Sequence, residues 1–186
     1  MRWGALFDDL EGQLAAADQR SLESEAAERA RMDLREVGWL DRLAQRPGST
    51  LTVNLATGHR FHGTLQRVGQ DCLELDAHGR YVLVPMLSVV MIDGLSTDPA
   101  SHPAARPRLG LRAALRDLSL ARTICTWHLN DRSATTLSGL ARRVGADYVD
   151  VAAADAAGRR PDPTPRFVPL TAIAAVVGPL ADPGLA

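Results

Sequence analysis

The sequence predicts a mainly β protein with some α: an N-terminal helix followed by two five-stranded small barrels, each preceded by a short helix. Three observations carry this. Apolar and polar residues alternate with period two from Leu51 and again from Cys125. A nine-residue stretch beginning at Arg67 recurs at Arg143, 76 positions on. From Met1 to about Gln45 there is no proline, and apolar residues fall at helical spacing.

Composition narrows the function classes. The chain has 186 residues, 46% hydrophobic and 23% charged, a globular balance. Its 21 basic and 22 acidic residues nearly cancel to a net charge of −1, so no global basic field draws it onto nucleic acid. Every basic residue is Arg. Aromatics make up only 4%, too few for a broad base-stacking platform.

The first element reads as an amphipathic helix. Trp3, Phe7, Leu10, Leu14 and Ala17 share one stripe. The stretch from Gln19 to Arg31 is polar nearly all round, and a second stripe, Val37, Leu40, Leu43 and Ala44, precedes the Pro47-Gly48 stop. Leu51, Val53 and Leu55 then alternate as a strand up to the Thr57-Gly58 turn. Phe61, Gly63 and Leu65 resume the alternation, Val68-Gly69 breaks it, and Cys72 to Leu75 continues it. Tyr81–Val84 and Leu87–Ile92 complete five short strands, with Pro85 between the last two.

A Pro-rich linker follows. Leu111, Ala114, Leu115 and Leu118 then form a short amphipathic helix, and the strand pattern returns at Cys125, Trp127 and Leu129. The repeat aligns Arg67–Leu75 with Arg143–Val151 and Gly63 with Gly139. Further on, Val84-Pro85 matches Val168-Pro169 at a spacing of 84. The second copy thus holds extra residues within 152–165. Five short, strongly bent antiparallel strands close best into a small barrel. Gly63 and Gly139 stand mid-strand, where sharp curvature needs a residue without Cβ.

This run, LTVNLATGHRFHGTLQRVGQDCLEL followed by YVLVPMLSVVMI, resembles the Sm-like fold of the Sm, LSm and Hfq proteins. The whole layout resembles an uncharacterised actinobacterial family of tandem Sm-like proteins. The resemblance implies an N-terminal helix over 1–32, one barrel over 33–95, a Pro-rich linker over 96–107, a second barrel over 108–178 and a tail over 179–186. It does not bring the family's RNA clamp. The places of the clamping Asp and Asn are held by Gly69 and Leu73 in the first copy and by Gly145 and Val149 in the second. Pro85-Met86 and Pro169-Leu170 stand where the family has an Arg-Gly step.

No catalytic motif stands out: there is no G-x-S-x-G and no Gly-rich phosphate loop. The reading is therefore a non-enzymatic interaction or scaffold protein, assembling with itself or a protein partner. Trp3, Phe7, Leu10 and Leu14 are the expected partner-binding residues, together with exposed strand edges. The alternative is an RNA- or DNA-binding regulator using Arg142, Arg143, Arg159 and Arg160. No cofactor, metal or small-molecule substrate is expected. His59 and His62 form an H-x-x-H pair, but on a strand, residues three apart face opposite sides. Asp71 and Asp147, matched in the repeat, are expected to accept backbone N–H groups within their own tight turns. Cys72 and Cys125 sit in apolar runs and are expected as buried thiols. Acidic residues at Asp8, Asp9 and Glu11 break any signal-peptide core, and no apolar run is long enough to span a bilayer, so a cytoplasmic protein is expected.

Overall fold

The computed structural model describes residues 38–95, 110–153 and 164–180. The chain divides into two units, Met1–Arg42 with Thr97–Pro103, and Leu43–Ser96 with Ala104–Ala186. Of the first, only residues 38–42 are described.

Short helix α1 (Trp39–Ala44) ends at the turn before Pro47-Gly48, and its Leu43 is fully buried. Five strands follow: β1 (Thr50–Leu55), β2 (Arg60–Val68), β3 (Cys72–Asp76), β4 (Arg80–Pro85) and β5 (Val89–Asp93). A 3-10 turn over Met86–Ser88 separates the last two, at the proline that the sequence placed there. Helix α2 (Leu111–Leu120) buries Leu111, Ala114 and Leu115, the stripe read from the sequence. Five more strands complete the chain: β6 (Ile124–Leu129), β7 (Thr136–Val144), β8 (Tyr148–Ala153), β9 (Arg166–Pro169) and β10 (Ile173–Pro179).

The pairings in the second set correspond to those in the first. Leu51 opposes Gly63 on β1–β2, and Cys125 opposes Gly139 on β6–β7. A bulge between Leu65 and Arg67 on β2 has its counterpart between Ala141 and Arg143 on β7. Val53 opposes Ile92 on β1–β5, and Trp127 opposes Val176 on β6–β10. The mid-strand glycines are needed for close approach. A Cβ on Gly63 would overlap the Asp76 carbonyl, and one on Gly139 would overlap that of Ala152.

The expectation of two closed barrels is corrected, and with it the Sm-like tandem-barrel identification. The strands form one open ten-stranded antiparallel sheet in the order β5-β1-β2-β3-β4-β10-β6-β7-β8-β9. The physical reason lies at its centre. β10, the last strand, hydrogen-bonds on one side to β6 of its own half and on the other to β4 of the first half. Neither half therefore closes on itself. The cores interlock accordingly. Ala174, Ala175 and Val177 of β10 pack into the core of the first half, while Cys72 and Leu83 join the core around Trp127 and α2. Trp127 is fully buried and donates its indole N–H to the Gly139 carbonyl at 3.0 Å.

Candidate functional site

The β4–β10 joint holds the two halves of the sheet together. In the joint, Leu83 opposes Val176 and Val82 opposes Val177. All four side chains are buried. Ser88 donates to the Ile173 carbonyl at 3.0 Å across the two halves, and Asp71 accepts the N–H of Leu111 at the start of α2 at 2.6 Å. Asp71 does accept a backbone N–H, as expected, but from a helix 40 positions away rather than from its own turn.

Among the described residues the sheet ends in β5 on one side and β9 on the other, and each pairs along one side only. Both edges carry exposed apolar side chains: Val90 and Met91 on β5, and Phe167 at 67% exposure on β9. Leu87, just before β5, is 86% exposed. Unpaired strand edges with apolar side chains are templates for strand addition. The ends of the two edges carry opposite charge, Asp93 on β5 and Arg166 on β9.

Beside β9 lies a cavity of about 400 Å³ lined by Arg142, Arg143, Asp150, Pro165 and Phe167. The bulge on β7 brings the consecutive Arg142 and Arg143 to this one cavity. Asp150 is 7% exposed, and its Oδ1 is buried with no hydrogen-bond partner. Its counterpart Glu74 differs. Glu74 accepts from Nε of Arg67 at 3.0 Å and makes an ion pair with its Nη2, also at 3.0 Å, with Tyr81 lining the same cavity. Asp150 is one methylene shorter than Glu74.

A histidine pair also joins the halves. His128 Nδ1 lies 3.2 Å from His59 Nε2, with the rings edge-to-face, and Phe61 packs edge-on to His128. Thr57 Oγ1 lies 3.0 Å from the other nitrogen of His59. Burial, helped by His59 and the Arg80 charge, pushes the His128 imidazole down to about 4. His62 does not join this pair but meets Thr52 Oγ1 at 3.0 Å. The sequence held no signal for the His59–His128 contact, since 69 positions separate the two. Among the described residues no group of three His, Cys, Asp or Glu is placed to hold a metal ion.

Cys72 and Cys125 are free and buried, as the sequence predicted. Burial pushes the Cys72 thiol up to about 12, with Asp71 and Glu74 adding to the effect, and the Cys125 thiol up to about 11. Trp3, Phe7, Leu10 and Leu14 lie outside the described residues, as do Arg159 and Arg160 and the segments 1–32 and 96–107. Arg142 and Arg143 are exposed on β7. Among the described residues no helix is long and apolar enough to cross a membrane. The described residues define a mainly β protein with a single sheet whose edge strands are β5 and β9. No family model and no curated protein matches the chain.

Proposed function

We propose that this is a non-enzymatic interaction protein that assembles with copies of itself, head to tail, through the two open edges of its sheet. One observation carries the reading: the chain already contains one such joint. Read as two copies of one unit, each half has a fourth strand, β4 or β9, and a last strand, β5 or β10. The internal joint uses the fourth strand of one half and the last strand of the other. The strands left over at the edges, β9 and β5, are the remaining fourth and last strands.

The internal register serves as the pattern for the external one. Carried over by the 84-position spacing, Phe167 faces Ile92 of the next copy and Arg166 faces Asp93 of the next copy. A cross-strand pair of opposite charge stands where the internal joint has Val82 opposite Val177. Strand addition satisfies the unpaired N–H and C=O groups of both edges and covers Phe167 and Met91. Such a joint is heterologous, so successive copies close into a ring or continue as a filament. The N-terminal stripe of Trp3, Phe7, Leu10 and Leu14 remains a second contact of the same reading.

Sedimentation velocity of the full chain tests this. The expected result is a species larger than one chain. Arg166→Glu and Asp93→Arg should each reduce its mass, and the two charge-swapped substitutions in one chain should restore it. A wild-type chain that stays monomeric at about 100 µM, the weak end of specific association, refutes the reading.

A second reading, nucleic-acid binding, is favoured by one observation: Arg142 and Arg143 share a cavity with the exposed ring of Phe167. Its test is anisotropy of labelled single-stranded RNA at about 50 and 200 mM salt. Binding that falls steeply with salt and is lost in Arg142→Ala/Arg143→Ala favours it. Absence of binding at the lower salt rejects it.

A further inference from the structure

We infer that Asp150 is the residue with which the open end selects a second copy, and that the turn leading into β1 of that copy supplies its missing hydrogen-bond donor. The inference rests on the assembly reading above and adds the contact that discriminates the partner.

At the internal joint, a cavity of about 230 Å³ has walls from both halves. Arg67, Glu74 and Tyr81 form the first wall, and Asp117, Ala121 and Thr123 belong to the second. At the open end, every residue lining the larger cavity comes from the second half. Arg143 and Asp150 are the counterparts of Arg67 and Glu74, and Pro165 is that of Tyr81. The open cavity thus reproduces the first wall and lacks the second.

The first wall also differs in one respect that matters. Glu74 is engaged within its own half by Arg67 and lies beside Tyr81. Asp150 has a shorter reach, and proline offers no donor in place of the tyrosine. Its buried Oδ1 is left without a partner. A buried carboxylate oxygen without a donor is costly and is relieved by any correctly placed N–H or O–H.

The position of the second wall identifies the donor. Thr123 directly precedes β6, and Cys125 on β6 corresponds to Leu51 on β1 through their glycine partners. The same 74-position offset takes Thr123 to Ser49 and Ala121 to Pro47. In a head-to-tail pair, Pro47 and Ser49 of the next copy therefore close the cavity. The Ser49 hydroxyl of the next copy stands where Thr123 lines the internal one. Ser49 is well held for this purpose: its N–H donates to the Arg46 carbonyl at 3.2 Å and its own carbonyl accepts from Leu65 at 2.8 Å.

The test isolates a single joint. A chain carrying Asp93→Arg keeps a working β9 end, and a chain carrying Phe167→Asp, which sets a carboxylate against Ile92 and leaves Arg166 to repel Arg at position 93, keeps a working β5 end. Mixed, they form one wild-type joint whose affinity is read by calorimetry. Asp150→Ala in the first chain should weaken that joint about tenfold, as should Ser49→Ala in the second, the size expected for one hydrogen bond to a charged group. The double combination should cost no more than either alone, because both substitutions remove the same bond. Ser49→Ala lies on the other chain, so the result does not depend on how Asp150→Ala folds. Variants that bind as tightly as wild type, or whose effects add independently, overturn this inference and leave the assembly reading standing. A wild-type chain that does not associate overturns both.

Discussion

Acidification should loosen the contact between the two halves, and His128 is the group that makes it do so. The neutral ring sits half-buried on β6 against His59, with Arg80 near enough to oppose a positive charge. Its folded value is about 4 against an ordinary 6.5. Above the ordinary value, folded and unfolded chains both hold the ring neutral, and this group adds no pH dependence. Between the two values the unfolded chain takes up a proton that the folded chain refuses, so stability falls as pH falls. Below about 4 both states are protonated and the loss is complete. At full coupling this interval amounts to roughly 3 kcal/mol. Because the ring is only partly buried, screening cuts that to about 1–2 kcal/mol. Carboxylates also titrate in this range, so the measurement must be a difference. Urea unfolding of wild type and His128→Gln at about pH 7 and about pH 4.5 provides it. Wild type should lose about 1–2 kcal/mol more than the variant over that span. Equal losses would show that the ring is not held neutral by this contact.

Two further outcomes follow from the core. Gly139→Ala places a Cβ against the Ala152 carbonyl and should cost about 2–3 kcal/mol of stability, read as a lower urea midpoint; an unchanged midpoint would mean that β7 and β8 can separate freely there. Both thiols should resist a disulfide reagent at about pH 8 until the chain is unfolded, since burial holds Cys72 and Cys125 far above that pH; rapid labelling of the native chain would contradict the packing.

Much of the fold was legible because it is written in local patterns. Period-two alternation placed the strands, and the two mid-strand glycines, read as bends of a barrel, prove to be places where the neighbouring backbone leaves no room for a side chain. The stripe of Leu111, Ala114 and Leu115 gave α2. What the sequence did not reveal is which strand β10 would join. Strand edges pair through the main chain, whose donors and acceptors are the same at every residue, so a strand's second neighbour leaves little trace in side-chain type. An apolar strand that closes its own barrel and one that bridges two halves read alike. The same blindness hid Asp71 as the acceptor for α2, and the His59–His128 contact. Each depends on two segments meeting across the joint, and neither is implied by spacing along the chain. For the open end, Arg142 and Arg143 were visible as a basic pair. The unsatisfied carboxylate beside them was not, because burial of Asp150 is a property of the assembled sheet.

The two joints also differ in kind, and the difference bears on how assembly would behave. Inside the chain, Val82 meets Val177 and Leu83 meets Val176, all buried, so separating them exposes apolar surface at roughly 25 cal/mol per Å². Between copies, the same register sets Arg166 against Asp93, both exposed until the copies meet, so joining removes hydration from two charges that their mutual attraction only partly offsets. The internal joint is therefore the permanent one. The joint between copies keeps its geometry but replaces an apolar pair with a charged one that salt screens. Copies joined in this way should dissociate as ionic strength rises, while each chain's own sheet stays intact. A species whose mass falls with salt at constant circular dichroism would carry that signature; a mass indifferent to salt would mean that the edges meet in some other register.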